Sequence, residues 1–203
     1  MSHAELSPLA MRKFAETLFA EIGSDTVYVI LSKSGWPREK RSLEYCLSLN
    51  AQQAPQVYAA LQAALRTYYG RGARGTLMRL GAKLWEPLLK ELPFATKAQA
   101  GLIRGLPKAM RRKPALEILA GLLGTKRGDV TVHSLDLDLL LVDSSSPAAT
   151  GQKDDTPICY VTLGLIRECL YWATGEEHDI EERACKAMGS NQCEFKITIG
   201  GGR

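Results

Sequence analysis

The spacing of the apolar residues changes once along this 203-residue chain, and that change constrains the fold more than any other feature. Up to about residue 127, apolar side chains recur at the three- and four-residue spacing of amphipathic helices. From Asp129 to Asp143 two short segments are typical of strands, 158–173 has helical spacing, and 179–187 and 194–199 are typical of strands again. The sequence therefore predicts an α+β fold, in which a helical N-terminal part packs on an antiparallel sheet with a strand-strand-helix-strand-strand C-terminal unit.

Capping residues, glycines and prolines predict where the helices begin and end. Ser7 is placed to cap a first helix that ends near Ile22, and Ser24 or Asp25 to cap a second. The glycines of 70–75 match G-x-G-x-x-G, but no strand precedes them, so the sequence predicts a bend between two helices rather than a dinucleotide site. The helical pattern over 97–123 is expected to break or kink at Pro107 or Pro114. Residues 144–157, rich in Ser, Pro, Ala and Asp, predict a surface loop.

Composition sets the expected domain organisation and compartment. A hydrophobic share of 45% is enough for a core. We expect one domain over 1–203, with a mainly helical half over 6–127 and a sheet half over 128–199. No apolar stretch approaches the roughly 18 residues that cross a bilayer, and charged residues are scattered through the first 22. The prediction is a cytoplasmic protein with no membrane span.

The two halves carry opposite charge. Residues 61–127 contain fourteen Lys and Arg against three acids, and residues 128–182 contain twelve acids against two bases. One interpretation is a site for a polyanion, and the other is solvated faces that attract each other. A nucleic-acid site is disfavoured, because we find no reading helix and no stacking aromatics along a basic face.

Four of the five cysteines lie between residues 159 and 193. Cys159 begins a predicted helix, Cys185 and Cys193 flank the turn between the last two predicted strands, and Glu182 stands three residues before Cys185. Three sulfurs and one carboxylate are enough for a closed tetrahedral zinc site of the structural kind. The alternative is that all five cysteines are buried apolar thiols. Cys169 is expected to point into the core, and Cys46 stands alone in the sequence.

Three motifs resemble the 4-vinyl-reductase-like domain family. They are Ile158-Cys-Tyr-Val-Thr-Leu-Gly164, Glu182-x-x-Cys185 and Gly189-x-x-x-Cys193-x-Phe195. The stretch Tyr69 to Arg74 followed by Leu80-Gly81 is similar to the family's helical half, so the resemblance covers about Leu6 to Ile199.

The resemblance implies a ligand-binding fold related to nitric-oxide-signalling and Golgi-transport domains, often dimeric. It also implies a structural zinc on Cys159, Glu182, Cys185 and Cys193. The chain departs from the family in two respects. The extra cysteine pair that many members have before the position of Cys159 is replaced by the loop 144–157, and no counterpart appears of the His and Trp with which phenol sensors hold the hydroxyl.

The function predicted from these observations is non-catalytic binding of a hydrophobic or aromatic small molecule. The stand-alone members of the family imply a tetrapyrrole, a chlorophyll or bacteriochlorophyll precursor, for which the protein would be a carrier or sensor. Aromatic side chains would line the pocket and arginines would meet the propionates. The candidate ligand residues are Trp36, Tyr68, Tyr69, Arg71, Arg74, Trp85 and Trp172.

Other functions stay open at this point. A vinyl reductase needs a hydride or electron source, and no nucleotide motif stands once the glycine bend is set aside. An assembly or adaptor subunit without ligand is a second alternative, and a haem sensor that uses His133 is a third. We also expect a homodimer and no DNA-reading module.

Overall fold

The computed structural model describes residues 5–199, which form eight α-helices and one four-stranded antiparallel sheet. The helices are α1 (Pro8–Ile22), α2 (Ser24–Lys33), α3 (Leu43–Leu47), α4 (Ala54–Tyr69), α5 (Ala73–Lys90), α6 (Phe94–Gly105), α7 (Lys108–Leu123) and α8 (Tyr160–Thr174). The strands are β1 (Val130–Leu135), β2 (Asp138–Asp143), β3 (Asp179–Ala184) and β4 (Cys193–Thr198). The predicted α+β class and the strand-strand-helix-strand-strand unit are confirmed.

The sheet has the order β1-β2-β4-β3, so β2 pairs with β4 although α8 and β3 lie between them in the chain. In this pairing Leu141 lies opposite Phe195, and both are fully buried. The same register sets Asp143, the last residue of β2, opposite Cys193, the first residue of β4. A bulge in β3 between Glu182 and Ala184 interrupts its pairing with β4. The cysteines and the glutamate of the C-terminal motif therefore all lie at one end of the sheet.

Helices α5 and α8 cross at two glycines. A Cβ atom on Gly81 would stand 2.1 Å from the carbonyl oxygen of Val161, and one on Gly164 would stand 2.0 Å from that of Met78. Such distances leave no room for any side chain at either position. The crossing joins the helical half directly to α8, which carries Cys159 at its N-terminal end.

The predicted helix ends are confirmed at some positions and wrong at others. Ser7 caps α1, and its hydroxyl accepts the backbone N–H of Ala10 at 3.0 Å. Helix α2 instead begins after Gly23, whose φ of 86° suits glycine, so the predicted caps at Ser24 and Asp25 are wrong. The break falls at Pro107, which precedes α7, whereas Pro114 lies inside that helix. The bend at Gly70–Gly72 is a 3-10 turn between α4 and α5, as the sequence predicted.

The segment 144–157 is not the surface loop that its composition predicted. Its 3-10 turn, Pro147–Ala149, packs on α4, and Ser146, Ala148 and Ala149 are buried. Two alanines are small and apolar enough to pack beneath a helix, and the carboxylate of Asp143 accepts the N–H of Ser146 at 2.7 Å. Within residues 5–199, no helix has both the length and the apolar character needed to cross a bilayer.

Candidate functional site

A buried cluster of three cysteines and one glutamate lies where α8, β3 and β4 meet. Its ligand atoms come from Cys159, Glu182, Cys185 and Cys193, and all lie within 4.8 Å of one another. Cys159 immediately precedes α8, Glu182 belongs to β3, Cys185 follows that strand and Cys193 begins β4. Side chains far apart in sequence thus converge on one point.

The three sulfurs have the separations that a tetrahedral metal requires. The Sγ of Cys159 lies 3.9 Å from that of Cys185 and 3.6 Å from that of Cys193, and the third side of the triangle is 4.0 Å. A tetrahedral zinc with Zn–S bonds of about 2.3 Å sets its sulfurs about 3.8 Å apart. The thiols therefore fit one face of a zinc tetrahedron.

Glu182 supplies the fourth group, and its two carboxylate oxygens differ. Oε2 accepts the backbone N–H of Cys159 at 3.0 Å, whereas Oε1 is buried and has no hydrogen-bond partner among residues 5–199. Burial raises the pKa of Glu182 to about 8. An orphaned carboxylate oxygen beside three sulfurs is costly, and a bound cation removes that cost. The donor set therefore fits a metal ion.

Hydrogen-bond donors surround the sulfurs. The hydroxyl of Ser146 lies 3.0 Å from the Sγ of Cys193 and 3.6 Å from that of Cys159. The backbone N–H of Lys186 donates to the Sγ of Cys193 at 3.3 Å. Hydrogen bonds from the thiols of Cys159 and Cys193 hold the pKa of Cys185 far below its usual range. Such an environment favours the thiolate, which is the form that binds metals.

The remaining two cysteines lie outside this cluster. The Sγ of Cys169 donates to the carbonyl oxygen of Ala115 at 3.3 Å, in the core as the sequence predicted. Burial raises the pKa of the Cys46 thiol to about 11. All five cysteines are buried, so burial does not separate a metal site from ordinary core thiols. The convergence of three sulfurs and a carboxylate does.

A family comparison covers this part of the chain. Residues 141–199, which contain the whole cluster, match the model of the 4-vinyl-reductase domain. The chain carries a 4-vinyl-reductase domain. The family that the cysteine and glycine motifs indicated is thus confirmed over β2, α8, β3 and β4. No curated protein sequence matches the chain.

Solved structures extend the likeness from the 4-vinyl-reductase motifs to the helical half of the chain. The H-NOX protein from S. oneidensis in the Fe(II)NO state is 13% identical, covers 95% of this chain and 98% of its own, and has a TM-score of 0.57. The NMR structure of the Shewanella oneidensis H-NOX domain in the Fe(II)CO state is also 13% identical, with coverages of 96% and 98% and a TM-score of 0.52. At this identity the likeness establishes a shared fold, which confirms the predicted relation to a nitric-oxide-signalling fold.

A cavity of about 560 Å³ lies between α5, α6 and α8. Trp85 and Trp172 line it, in edge contact with their ring centroids 5.5 Å apart. The guanidinium of Arg104 lies 5.9 Å from the ring centroid of Trp172, and Lys97 also lines the cavity. The sequence analysis did not name Lys97 and Arg104. Their seven-residue spacing, which places both on one face of a helix, is the signal that could have found them.

The other five predicted ligand residues lie elsewhere in the fold. Tyr68 and Tyr69 contact each other edge to edge at the end of α4, with centroids 5.1 Å apart. The carbonyl oxygen of Trp36 accepts the Nε of Arg41 at 2.7 Å. Arg74 lines a separate groove beside Glu182, and Arg71 is exposed. Two of the seven residues, Trp85 and Trp172, therefore line the cavity.

Proposed function

We propose that this 4-vinyl-reductase domain binds a hydrophobic, planar small molecule in the cavity between α5, α6 and α8, and that the cysteine and glutamate cluster holds a structural zinc. The observation that carries the ligand proposal is the meeting of Trp85 and Trp172 in a cavity with Arg104 and Lys97 at its wall. Two aromatic rings provide stacking surface, and two cations select an anionic substituent.

The ligand class that best matches this lining is a tetrapyrrole with carboxylate side chains. The cavity of about 560 Å³ lies in the usual size range of small-molecule sites, roughly 300–1,000 Å³. The indole N–H of Trp85 is buried without an acceptor in residues 5–199, and a polar ligand atom would satisfy it. One of the H-NOX structures that share the fold is described by its heme distortion, so a related fold holds a tetrapyrrole.

A carrier or sensor of a tetrapyrrole precursor is favoured over an iron haem sensor. His133 lies in β1, where its Nε2 lies 2.8 Å from the hydroxyl of Thr131, and it does not line the cavity. His178 is held at the far end of α8 by Arg112. Within residues 5–199 the cavity is thus lined by no histidine, the residue that the haem-sensor alternative would require.

The proposed zinc has a structural role because four protein groups close its coordination sphere. Soft thiolates select zinc over magnesium or calcium, and the single carboxylate completes the tetrahedron. When bound, the metal contributes folding energy by tying the N-terminal end of α8 to β3 and β4. The residues around it keep their own tasks: Ser146 and the N–H of Lys186 orient the sulfurs, and the N–H of Cys159 orients Glu182.

The ligand proposal is tested by titrating the protein with protoporphyrin IX and following the Soret band and tryptophan fluorescence. We expect saturable binding and a loss of affinity of about tenfold in Trp172→Leu, because a stacking surface is removed. Trp36→Leu is the matched control, since Trp36 lies outside the cavity, and it should bind as the wild type does. The absence of saturable binding, or an equal loss in both variants, would refute the proposal.

Arg104 allows a sharper test of what the cavity recognises. If its guanidinium pairs with a propionate, Arg104→Gln should weaken binding of protoporphyrin IX but not of its dimethyl ester, which carries no carboxylate. An equal effect on both ligands would show that Arg104 acts by packing on Trp172 and not by charge.

Native mass spectrometry of the protein as isolated tests the metal and two further proposals. We expect one zinc per chain, and less than about half an equivalent in carefully prepared protein would count against the site. The same spectrum reports whether the protein is a homodimer and whether it retains a small molecule. Limited proteolysis of the zinc-loaded protein tests the single domain over 1–203, which should resist cleavage near residue 127.

A further inference from the structure

Helix α6 turns an apolar face towards solvent. Phe94 and Leu102 are 88% and 75% exposed, and Ala98 lies between them on the same face at four-residue spacing. In α6 only Ala100 and Ile103 are buried. Met110, in the first turn of α7, is 60% exposed. Large apolar side chains exposed in series are unusual for a surface that meets only water.

The same segment carries only positive charge. Residues 92–116 contain six Lys and Arg and no Asp or Glu. Lys97, Arg104 and Lys113 form no ion pair with any residue in the described range 5–199. On α6, Lys97 and Arg104 flank the apolar stripe rather than interrupt it, because their positions lie to one side of 94, 98 and 102 on the helix. We call this the α6 surface, formed by Phe94, Ala98, Leu102 and Met110 with Lys97, Arg104, Lys108 and Lys113.

We propose that the α6 surface docks the protein on a membrane that contains anionic lipids. An interfacial helix inserts its apolar side chains into the boundary between headgroups and acyl chains, while flanking cations contact the headgroups. Phe94 and Leu102 would insert, and Lys97, Arg104 and Lys113 would meet lipid phosphates. No helix needs to span the bilayer for this mode of binding.

A second copy of the chain is a poorer occupant of this surface. In a two-fold contact the α6 surface would face itself, so the cations of one chain would oppose the cations of the other without a neutralising acid. The stripe is also narrow, with three large apolar side chains, whereas a stable protein interface buries about 800 Å² per partner. Positive charge around a narrow apolar stripe is better matched to anionic headgroups.

Docking has a consequence for the cavity. Helix α6 supplies Lys97, Ala100, Gly101 and Arg104 to the cavity lining, so a docked α6 brings the cavity to the membrane surface. A hydrophobic ligand dissolved in the bilayer would then enter without crossing water. This consequence rests on the proposed ligand site, whereas docking itself does not.

The test is co-sedimentation of the full chain with vesicles of phosphatidylcholine alone and of phosphatidylcholine mixed with phosphatidylglycerol. We expect sedimentation with the mixed vesicles, less at high salt, and little with phosphatidylcholine alone. Leu102→Glu should lower the partition coefficient by at least about tenfold, since it removes an inserted side chain and adds a like charge to the lipid. Lys113→Gln should lower it by about fivefold, on the mixed vesicles only.

Leu137→Glu is the matched control. Leu137 is 76% exposed, as Leu102 is, but it lies between Asp136 and Asp138 in the turn from β1 to β2. This variant should bind vesicles as the wild type does. Melting temperature and zinc content of each variant show that the fold is intact. Equal sedimentation of Leu102→Glu and wild type, or equal binding to both vesicle types, overturns the proposal. So does a wild type that ignores vesicles but forms dimers that Leu102→Glu abolishes.

Discussion

Gly81 of α5 and Gly164 of α8 face each other where the two helices cross. A Cβ on Gly81 would lie 3.0 Å from the Cα of Gly164, and so the two backbones are in direct contact. Helix α8 carries Cys159 at one end and Trp172 near the other, and α5 carries Trp85. The crossing therefore fixes both the metal cluster and the cavity relative to the helical half.

Substitution of either glycine should be strongly destabilising. In Gly164→Ala or Gly81→Ala the new methyl group would meet a backbone carbonyl, which cannot rotate away, so the helices must separate. We expect the free energy of unfolding in urea to fall by about 3 kcal/mol or more.

Gly121→Ala in α7 is the control for this effect. Nothing lies within 4 Å of a Cβ at Gly121, so alanine should stabilise the helix by about 0.5–1 kcal/mol. Two crossing variants as stable as Gly121→Ala would show that the helices do not approach this closely in solution.

Removal of one sulfur should release the metal. In Cys185→Ala the cluster keeps two sulfurs and one carboxylate, and we expect less than about a tenth of an equivalent of zinc after dialysis. The free energy of unfolding should fall by about 3 kcal/mol or more, because the metal no longer ties α8 to β3 and β4. Metal analysis and urea denaturation measure the two quantities.

Cys46→Ala provides the comparison for the zinc prediction, because Cys46 is as buried as Cys185 but lies outside the cluster. It should retain full zinc and lose only about 1 kcal/mol. Full zinc retention in Cys185→Ala would contradict the proposed ligand set.

The hydroxyl of Ser146 should tune metal affinity without being a ligand. It lies 3.0 Å from the Sγ of Cys193, and its residue has a φ of 37°, a backbone conformation that glycine also adopts without strain. Ser146→Gly therefore removes the hydrogen bond and spares the backbone. Competition with a chromophoric chelator should show a 10- to 100-fold loss of zinc affinity, in the range of about two decades known for such neighbours. Ser144→Gly, at an exposed serine, should keep the affinity of the wild type.

His178 should make stability fall in mild acid. Its Nε2 accepts the Nε of Arg112 at 2.9 Å, and its Nδ1 lies 3.0 Å from the carbonyl oxygen of Glu176, an arrangement that suits the neutral ring. Burial and the charge of Arg112 lower the pKa of His178 below the ordinary 6.5. The unfolded chain therefore takes up the proton more readily, so this contribution is complete above pH 6.5 and is lost as pH falls towards the folded value.

The pH prediction is measured as the difference in unfolding free energy between about pH 8 and about pH 5. His178→Gln, which can still accept from Arg112 but does not titrate, should show a smaller difference than the wild type. A difference of the same size in both proteins would exclude His178 as a source of the acid sensitivity.

Local signals in the sequence were enough to predict the elements and the metal ligands. Ser7 caps its helix because a side-chain oxygen bonds a backbone N–H three residues away, and no distant contact is needed for that. The alternation around Val132 and the apolar run from Leu139 depend on which face of a strand is buried, which is also a local property. Cys159, Glu182, Cys185 and Cys193 were predicted together because their spacing matched a family pattern, and the structure brings them within 4.8 Å.

Packing between distant segments decided the rest. The burial of Ala148 and Ala149 under α4 was not visible in a composition rich in Ser and Pro, because it depends on the shape of a helix elsewhere in the chain. The meeting of Trp85 with Trp172 depends on the two glycines that let α5 approach α8, and Tyr68 and Tyr69 remain outside the cavity because α4 ends elsewhere. The sequence by itself determined which segments are helices or strands and which residues can bind a metal. Only the tertiary structure decided which faces meet, because side-chain packing between distant segments has no local signature.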